Sequence, residues 1–142
     1  MKSLIAVFAL MFAIGCASAQ KIKEADVPAP AVSALHKMHP EVKDYKWYHE
    51  DGNYEAEYEV NDMEAAVTFD STGNLVETEI EIPVKNLPVA CTEYVSKNYP
   101  GTTIKEASEI TDAKGAKTYE AEIKGKDIVF DSNGNFLKEE KD

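Results

Sequence analysis

Three histidines, His36, His39 and His49, are the side chains of this sequence best suited to acid–base work or to holding a transition metal. His36 and His39 stand at i and i+3, a spacing that brings two imidazoles to one face of a helix. No Glu or Cys at ligand spacing joins them to complete a tetrahedral site, and His39 precedes Pro40, so it falls where a helix must end. Both therefore read as surface or helix-end histidines. The chain has no Gly-flanked serine elbow and no phosphate loop. A hydrolase or transferase has little to stand on, and the expectation is a protein that is not an enzyme.

Oxygen ligands offer a second chemistry. Asp70-Ser71-Thr72-Gly73-Asn74 and Asp131-Ser132-Asn133-Gly134-Asn135 are short acidic loops in which Asp70, Asn74, Asp131, Asn133 and Asn135 are the candidate calcium ligands. They depart from the helix-loop-helix calcium pattern, whose glycine is the sixth loop position rather than the fourth and which carries a glutamate at the twelfth. A tight hairpin explains the same residues without a metal, since Asp opens a type I turn and Gly supplies the left-handed position. A loose Ca2+ site, and with it a calcium-responsive protein, stands as the alternative; no other cofactor is indicated.

The carboxylates carry a third reading. Glu55, Glu57 and Glu59 alternate with Tyr54, Ala56, Tyr58 and Val60, and Glu120 and Glu122 alternate with Tyr119, Ala121 and Ile123, the period of strands with one apolar and one acidic face. Glu77, Glu79 and Glu81 form a neighbouring run of the same kind. Like charges facing each other across strands destabilise a sheet. The stripe is either simply solvated or it meets a basic partner or a cation. Trp47 and Tyr48 are adjacent on an earlier strand and must point to opposite sides, so one of them supplies an aromatic anchor on the acidic face. The candidate partner-binding residues are thus Trp47, Tyr48, Glu55, Glu57, Glu59, Glu120 and Glu122, and the partner is a protein or peptide with a basic surface.

The elements that place these residues come from an internal repeat with a period of about sixty. Val27-Pro28 matches Leu87-Pro88, His39-Pro40 matches Tyr99-Pro100, Tyr54-Glu55-Ala56-Glu57 matches Tyr119-Glu120-Ala121-Glu122, and the Asp70 loop matches the Asp131 loop. Each copy opens with a proline suited to the first turn of a helix and closes that helix before a second proline. Ala31, Leu35 and Met38 form the apolar helical face in the first copy; Cys91, Val95 and Asn98 or Tyr99 take those places in the second. Cys91 is therefore expected as a small buried residue rather than a reactive thiol. The period then changes to two through the strands around Trp47, Tyr54–Val60 and Ala65-Val67-Phe69, with an Asp51-Gly52-Asn53 turn whose counterpart is Lys114-Gly115. The expected fold class is α+β, a tandem repeat (27–82 and 87–140) of a helix plus a four-stranded antiparallel meander, linked through 82–86, with the helices on one face of the sheet.

Residues 1–19 are predicted to be removed. Lys2, the apolar run Leu4–Ile14 and Ala17-Ser18-Ala19 make a secretory leader too short to span a membrane, so no transmembrane helix is expected and the mature chain starts at Gln20 as one domain, 20–142, periplasmic or secreted. Ala13-Ile14-Gly15-Cys16 is similar to a lipoprotein box, with Ala where Leu is usual, and lipid anchoring through Cys16 is the minor alternative. Cleavage leaves Cys91 alone, so stability rests on a packed core rather than on a disulfide. The formal net charge is −11 and every basic residue is a lysine. Nucleic acid is thereby set aside as a partner, since binding it requires phosphates to be neutralised.

The prolines bounding each helix, Lys46-Trp47, the repeated Tyr-Glu-Ala-Glu strands and the two Phe-Asp-Ser-x-Gly-Asn hairpins together resemble the periplasmic PepSY-like, β-lactamase-inhibitor-like proteins of Bacteroidetes. The resemblance covers essentially all of the mature chain. It implies two helix-plus-four-strand units whose sheets join or abut, both helices on one side and an open sheet surface on the other. In inhibitor proteins of similar layout that surface grips an enzyme, so a peptidase or other enzyme inhibitor is implied here. Members of the group have also been labelled calcium-regulated, which fits the acidity and names no ligand. No inhibitory motif transfers residue by residue.

Overall fold

Prolines set the helix boundaries in this protein, whose computed structural model describes residues 19–141. Pro28 caps α1 (Ala29–Met38), and Pro88 caps α2 (Val89–Asn98). The missing N–H costs nothing at this position, where a helix has no internal acceptor for it. Each helix ends two residues before the next proline: His39 and Tyr99, with φ −130° and −128°, have already left the helical region, which a residue preceding proline is sterically disfavoured from holding. The leader and Cys16 lie outside the described residues, apart from Ala19. Among the described residues no helix is long and apolar enough to cross a membrane.

The strands are β1 (Gln20–Ile22), β2 (Tyr45–Glu50), β3 (Asn53–Val60), β4 (Met63–Phe69), β5 (Leu75–Glu81), β6 (Glu106–Asp112), β7 (Lys117–Ile123), β8 (Lys126–Asp131) and β9 (Phe136–Lys141). They form one antiparallel sheet in sequence order. A 3-10 turn (Glu24–Asp26), α1 and β2–β5 are followed by a second 3-10 turn (Val84–Asn86), α2 and β6–β9. The segment expected to link two units prolongs the sheet by one bond before the second 3-10 turn: Ile82 N–H donates to the Ala107 carbonyl at 2.8 Å, and β5 pairs directly with β6. Strand β1, which pairs with β2, was not expected from the sequence.

Two kinds of turn recur. Asp51-Gly52 and Asn61-Asp62 have both residues at positive φ, the two-residue hairpin geometry whose twist matches the strands. The other kind is a five-residue Asp loop. Gly73 N–H donates to the Asp70 carbonyl at 3.0 Å and Asp70 N–H to the Asn74 carbonyl at 3.0 Å; the same pair of bonds closes Asp112–Ala116 and Asp131–Asn135. The Lys114-Gly115 turn is therefore of this second kind, unlike the Asp51-Gly52 turn that was its expected counterpart.

Two cores lie under the helices. Ala31 and Leu35 of α1 pack on Trp47, Ala56, Val67 and Phe69; Cys91 and Val95 of α2 pack on Ala107, Ala121, Ile123, Ile128 and Phe130. Register puts both clusters on one side of the sheet, through Trp47, Ala56, Val67, Thr78 and Thr111 and then, four residues back along β6, Ala107 beside Ala121. Cys91 is fully buried, and burial pushes its thiol up to about 11. Met38, expected on the buried helix face, is 41% exposed, because α1 ends there and the chain turns away at Pro40. Phe69 and Phe130 hold matching places in the two cores. Replacing Phe130 with Ala is expected to cost about 3–5 kcal/mol, read as a lower denaturation midpoint with an unchanged slope.

Candidate functional site

Since β-strand side chains alternate, helices on one side leave the other to the second set of residues. That set is Lys46, Tyr48 and Glu50 on β2, Glu55, Glu57 and Glu59 on β3, and Glu64, Ala66 and Thr68 on β4. It continues with Glu77, Glu79 and Glu81 on β5, Ser108 and Asp112 on β6, and Glu120 and Glu122 on β7. The glutamate rows of β3 and β5 are not neighbours. Ala66 stands between Glu57 and Glu79, Thr68 between Glu55 and Glu77, and Ser108 between Glu81 and Glu120. One interposed strand separates such carboxylates by roughly 10 Å of backbone, which lowers the repulsion that direct opposition would bring. It does not remove it: Glu59 faces Glu64, and Glu77 faces Asp112.

The middle of this face is closed to solvent, while Lys46, Glu59 and Glu64 stand exposed. Glu79 and Glu120 are each 5% exposed and Glu122 7%. A nine-stranded sheet coils, and long side chains from neighbouring rows then cover one another. Burial, with the charges of Glu79 and Glu57 beside it, raises the Glu55 carboxyl well above the usual carboxylate range. Burial first and the Glu79 charge second do the same to Glu120, and burial raises Glu79 to about 7. The Ser108 hydroxyl lies near enough to favour the Glu79 carboxylate, yet no hydrogen bond of ordinary geometry reaches either of its oxygens. Glu122 is different, since Lys105 Nζ donates to its Oε1 at 3.0 Å. At one end of the face a cavity of about 460 Å³ is lined by Glu57, Glu64, Glu79, Glu81 and Ser108 together with Tyr45, Tyr58, Ala65, Ala66 and Lys46.

The residues singled out in the sequence separate accordingly. Glu55, Glu57, Glu59, Glu120 and Glu122 share the acidic face with Tyr48, which lies opposite Glu55. Trp47 is a correction: it is 2% exposed, in the α1 core, so of the two aromatics only Tyr48 faces outward. Glu120 and Glu122 are corrected as well, from an exposed stripe to a buried one, because the coiling that covers them is invisible in the alternation pattern. Glu64, Ser108 and Lys46 were missed. Their signal was present in the alternation of β2, β4 and β6, but each is a single polar residue in an otherwise mixed segment.

The other candidate chemistries are taken up locally. Asp70 Oδ1 accepts from Thr72 N at 2.8 Å, Thr72 Oγ1 at 2.7 Å and Asn74 N at 3.0 Å, and Oδ2 from Asn74 Nδ2 at 2.9 Å. Asp131 accepts in the same way from Asn133 N, Asn135 N and Asn135 Nδ2, each at 2.9 Å. These bonds hold both carboxyls below the usual range. Asp112 takes two such bonds in a loop without Asn, so the geometry is that of the turn. Among the described residues no three His, Cys, Asp or Glu side chains are grouped to hold a metal. The histidines disperse: His36 bonds the Tyr45 hydroxyl, His39 Nε2 is hydrogen-bonded to Tyr58 Oη at 3.1 Å, and His49 stacks on Tyr54 at 4.8 Å.

Comparison with known proteins finds a family and a shared fold. The family described as "Putative beta-lactamase-inhibitor-like, PepSY-like" matches residues 52–138. The chain belongs to the PepSY-like family. No curated protein matches it. Among solved structures, this PepSY-like chain is similar in fold to a Bacteroides eggerthii protein described as "putative periplasmic", with TM-score 0.72 at 15% identity over 81% of this chain and 88% of that one. A DUF2874 family protein from Bacteroides uniformis gives 0.70 at 20% identity over 81% and 89%, and a BLIP-like protein from Bacteroides fragilis 0.62 at 23% over 81% and 86%. The PepSY-like resemblance and the α+β class expected from the sequence both hold.

Proposed function

We propose that this PepSY-like protein is an exported, periplasmic, non-catalytic binding module that takes a basic protein or peptide on the acidic face of its sheet, in the manner of an enzyme inhibitor. The observation that carries this reading is the burial of Glu79 and Glu120, with Glu55 half-buried on the same face, and the raising of their carboxyls by desolvation and by neighbouring carboxylates. Such a face weakens the free protein, and a cationic partner relieves the repulsion. Groups perturbed in this way cluster where proteins act. Tyr48 beside Glu55 and Glu57 supplies the aromatic contact common at the energetic centre of interfaces. The family description and the BLIP-like fold support the inhibitor form of the reading.

The test compares the wild-type protein, immobilised, with a Tyr48→Ala/Glu57→Gln/Glu59→Gln variant against an envelope extract. The expected result is a basic protein retained by wild type in low salt, released as ionic strength rises, and not retained by the variant. Equal retention by both proteins, or retention insensitive to salt and to added millimolar calcium alike, overturns the reading.

A further inference from the structure

We infer that the cavity ending on Glu79 is a seat for a guanidinium group carried on an aliphatic stem, the end of an arginine side chain presented by a partner polypeptide. The inference rests on reading the acidic face as a binding face and names what that face receives. Glu79 lies in the middle of the sheet, between Ala66 of β4 and Ile110 of β6, 5% exposed, with both carboxylate oxygens out of contact with solvent and without a hydrogen bond of ordinary geometry. Buried polar groups left in that state are rare and costly. Here both oxygens of one carboxylate are free together, which is the arrangement that a forked donor fills and a point charge fills only in part.

The surroundings select among cations. The cavity of about 460 Å³ is far larger than a bare ion and within the range of small-molecule sites. Among the described residues no trio of ligating side chains is close enough to hold a metal. Glu57, Glu64 and Glu81 line the same space, so donors left over from Glu79 find further acceptors, and Ser108 adds a hydroxyl. Ala66, whose methyl stands on this face between Glu57 and Glu79, gives the wall an apolar part suited to a methylene stem. A guanidinium is more weakly hydrated than an ammonium and so loses less on entering a buried site. The chain has no arginine of its own to offer. Both Glu79 oxygens are covered in the free protein, so entry requires the side chains above them to part.

The experiment is an amide NMR titration of the protein, expressed with its own leader and purified as processed, with four probes: N-acetyl-arginine methylamide, the lysine equivalent, agmatine, and calcium chloride. The expected result is saturating shifts at Glu57, Ala66, Glu79 and Ser108 with the arginine probe, weaker binding of the lysine probe, and about tenfold or greater loss of affinity in Glu79→Gln, equivalent to about 1.4 kcal/mol. The variant's melting temperature at pH 8, not lower than wild type, separates lost binding from lost fold. Tighter binding of the capped amino acid than of agmatine assigns the group to a polypeptide, whereas equal binding assigns it to a free amine metabolite and overturns that part. No saturating shift at millimolar probe, or equal binding by wild type and Glu79→Gln, overturns the site. If the probe fails while the open-face variant above still loses its salt-sensitive partner, the arginine seat falls and the binding face stands. If the partner is also retained by that variant, both fall.

Discussion

At pH 8 the Glu79→Gln protein is expected to melt above wild type, and at pH 5 the difference is expected to close. The sign follows from the direction of the shift. Burial raises the Glu79 carboxyl from 4.5 to about 7, so in that interval the folded chain keeps a proton that the unfolded chain releases. Its contribution to stability is fully present below about 4.5 and is lost as pH rises through about 7. One unit is worth about 1.4 kcal/mol, which sets an upper limit of about 3 kcal/mol for Glu79. A neutral Gln still buries an amide in the same place, so a gain of about 1–3 kcal/mol at pH 8 is expected, or roughly 3–10 °C for a domain of this size. Glu55 and Glu120 shift in the same direction and add to the wild-type slope. Asp70 and Asp131 shift the other way: their stabilising turn bonds are complete above the usual carboxylate range and are lost as pH falls below it. Wild-type stability should therefore peak at weakly acid pH. Melting temperatures of both proteins from pH 4 to 8 decide the matter, and a flat wild-type profile, or a variant that melts lower at pH 8, contradicts the account of the acidic face.

Gly73→Ala and Gly134→Ala are expected to be the costliest glycine substitutions among the described residues, at about 2–5 kcal/mol each. Both glycines sit at positive φ, 84° and 82°, which an alanine adopts at a cost of about 1–2 kcal/mol. A Cβ at Gly73 would stand 2.6 Å from the Pro30 carbonyl oxygen, and one at Gly134 2.8 Å from the Ala90 Cβ. These are the first turns of α1 and α2, so the hairpin would have to move off its helix, an overpacking cost of about 1–3 kcal/mol. Gly52 and Gly115 have the same sign of φ, 81° and 84°, with nothing within 4 Å of an added Cβ. Their alanine variants isolate the backbone term, at about 1–2 kcal/mol. Chemical denaturation of the four variants reads the difference. If all four lose the same stability, the hairpins do not abut the helices as the structure has them.

That second role of the two glycines illustrates where legibility ended. The Asp-Ser-x-Gly-Asn pattern shows a turn needing a left-handed residue, because turn geometry is local to five residues. It cannot show that the turn lies against a helix some forty residues earlier, since nothing in Gly73 or Gly134 points to Pro30 or Ala90. The acidic face divides in the same way. Alternation in Tyr54–Val60 and Tyr119–Ile123 assigns Glu55, Glu57, Glu59, Glu120 and Glu122 to one side of their strands. Alternation also states that one of Trp47 and Tyr48 is on that side, but the choice depends on which side the helices cover.

What the sequence determined by itself is therefore everything of short range: helices bounded by Pro28 and Pro40 and by Pro88 and Pro100, strands with apolar and acidic faces, hairpins at the Asp loops, and an acidic chain without arginine. Each follows from steric or hydrophobic rules that act within a few residues. Only the tertiary structure decided that β5 pairs with β6 to make one sheet, that Trp47 is core and Tyr48 is not, and that Glu79 lies buried at the floor of a cavity beside Ser108. Burial and charge coupling are sums over strands distant in sequence, and the same glutamate is a solvated surface residue or a desolvated, protonatable one according to what the coiling of the sheet brings above it.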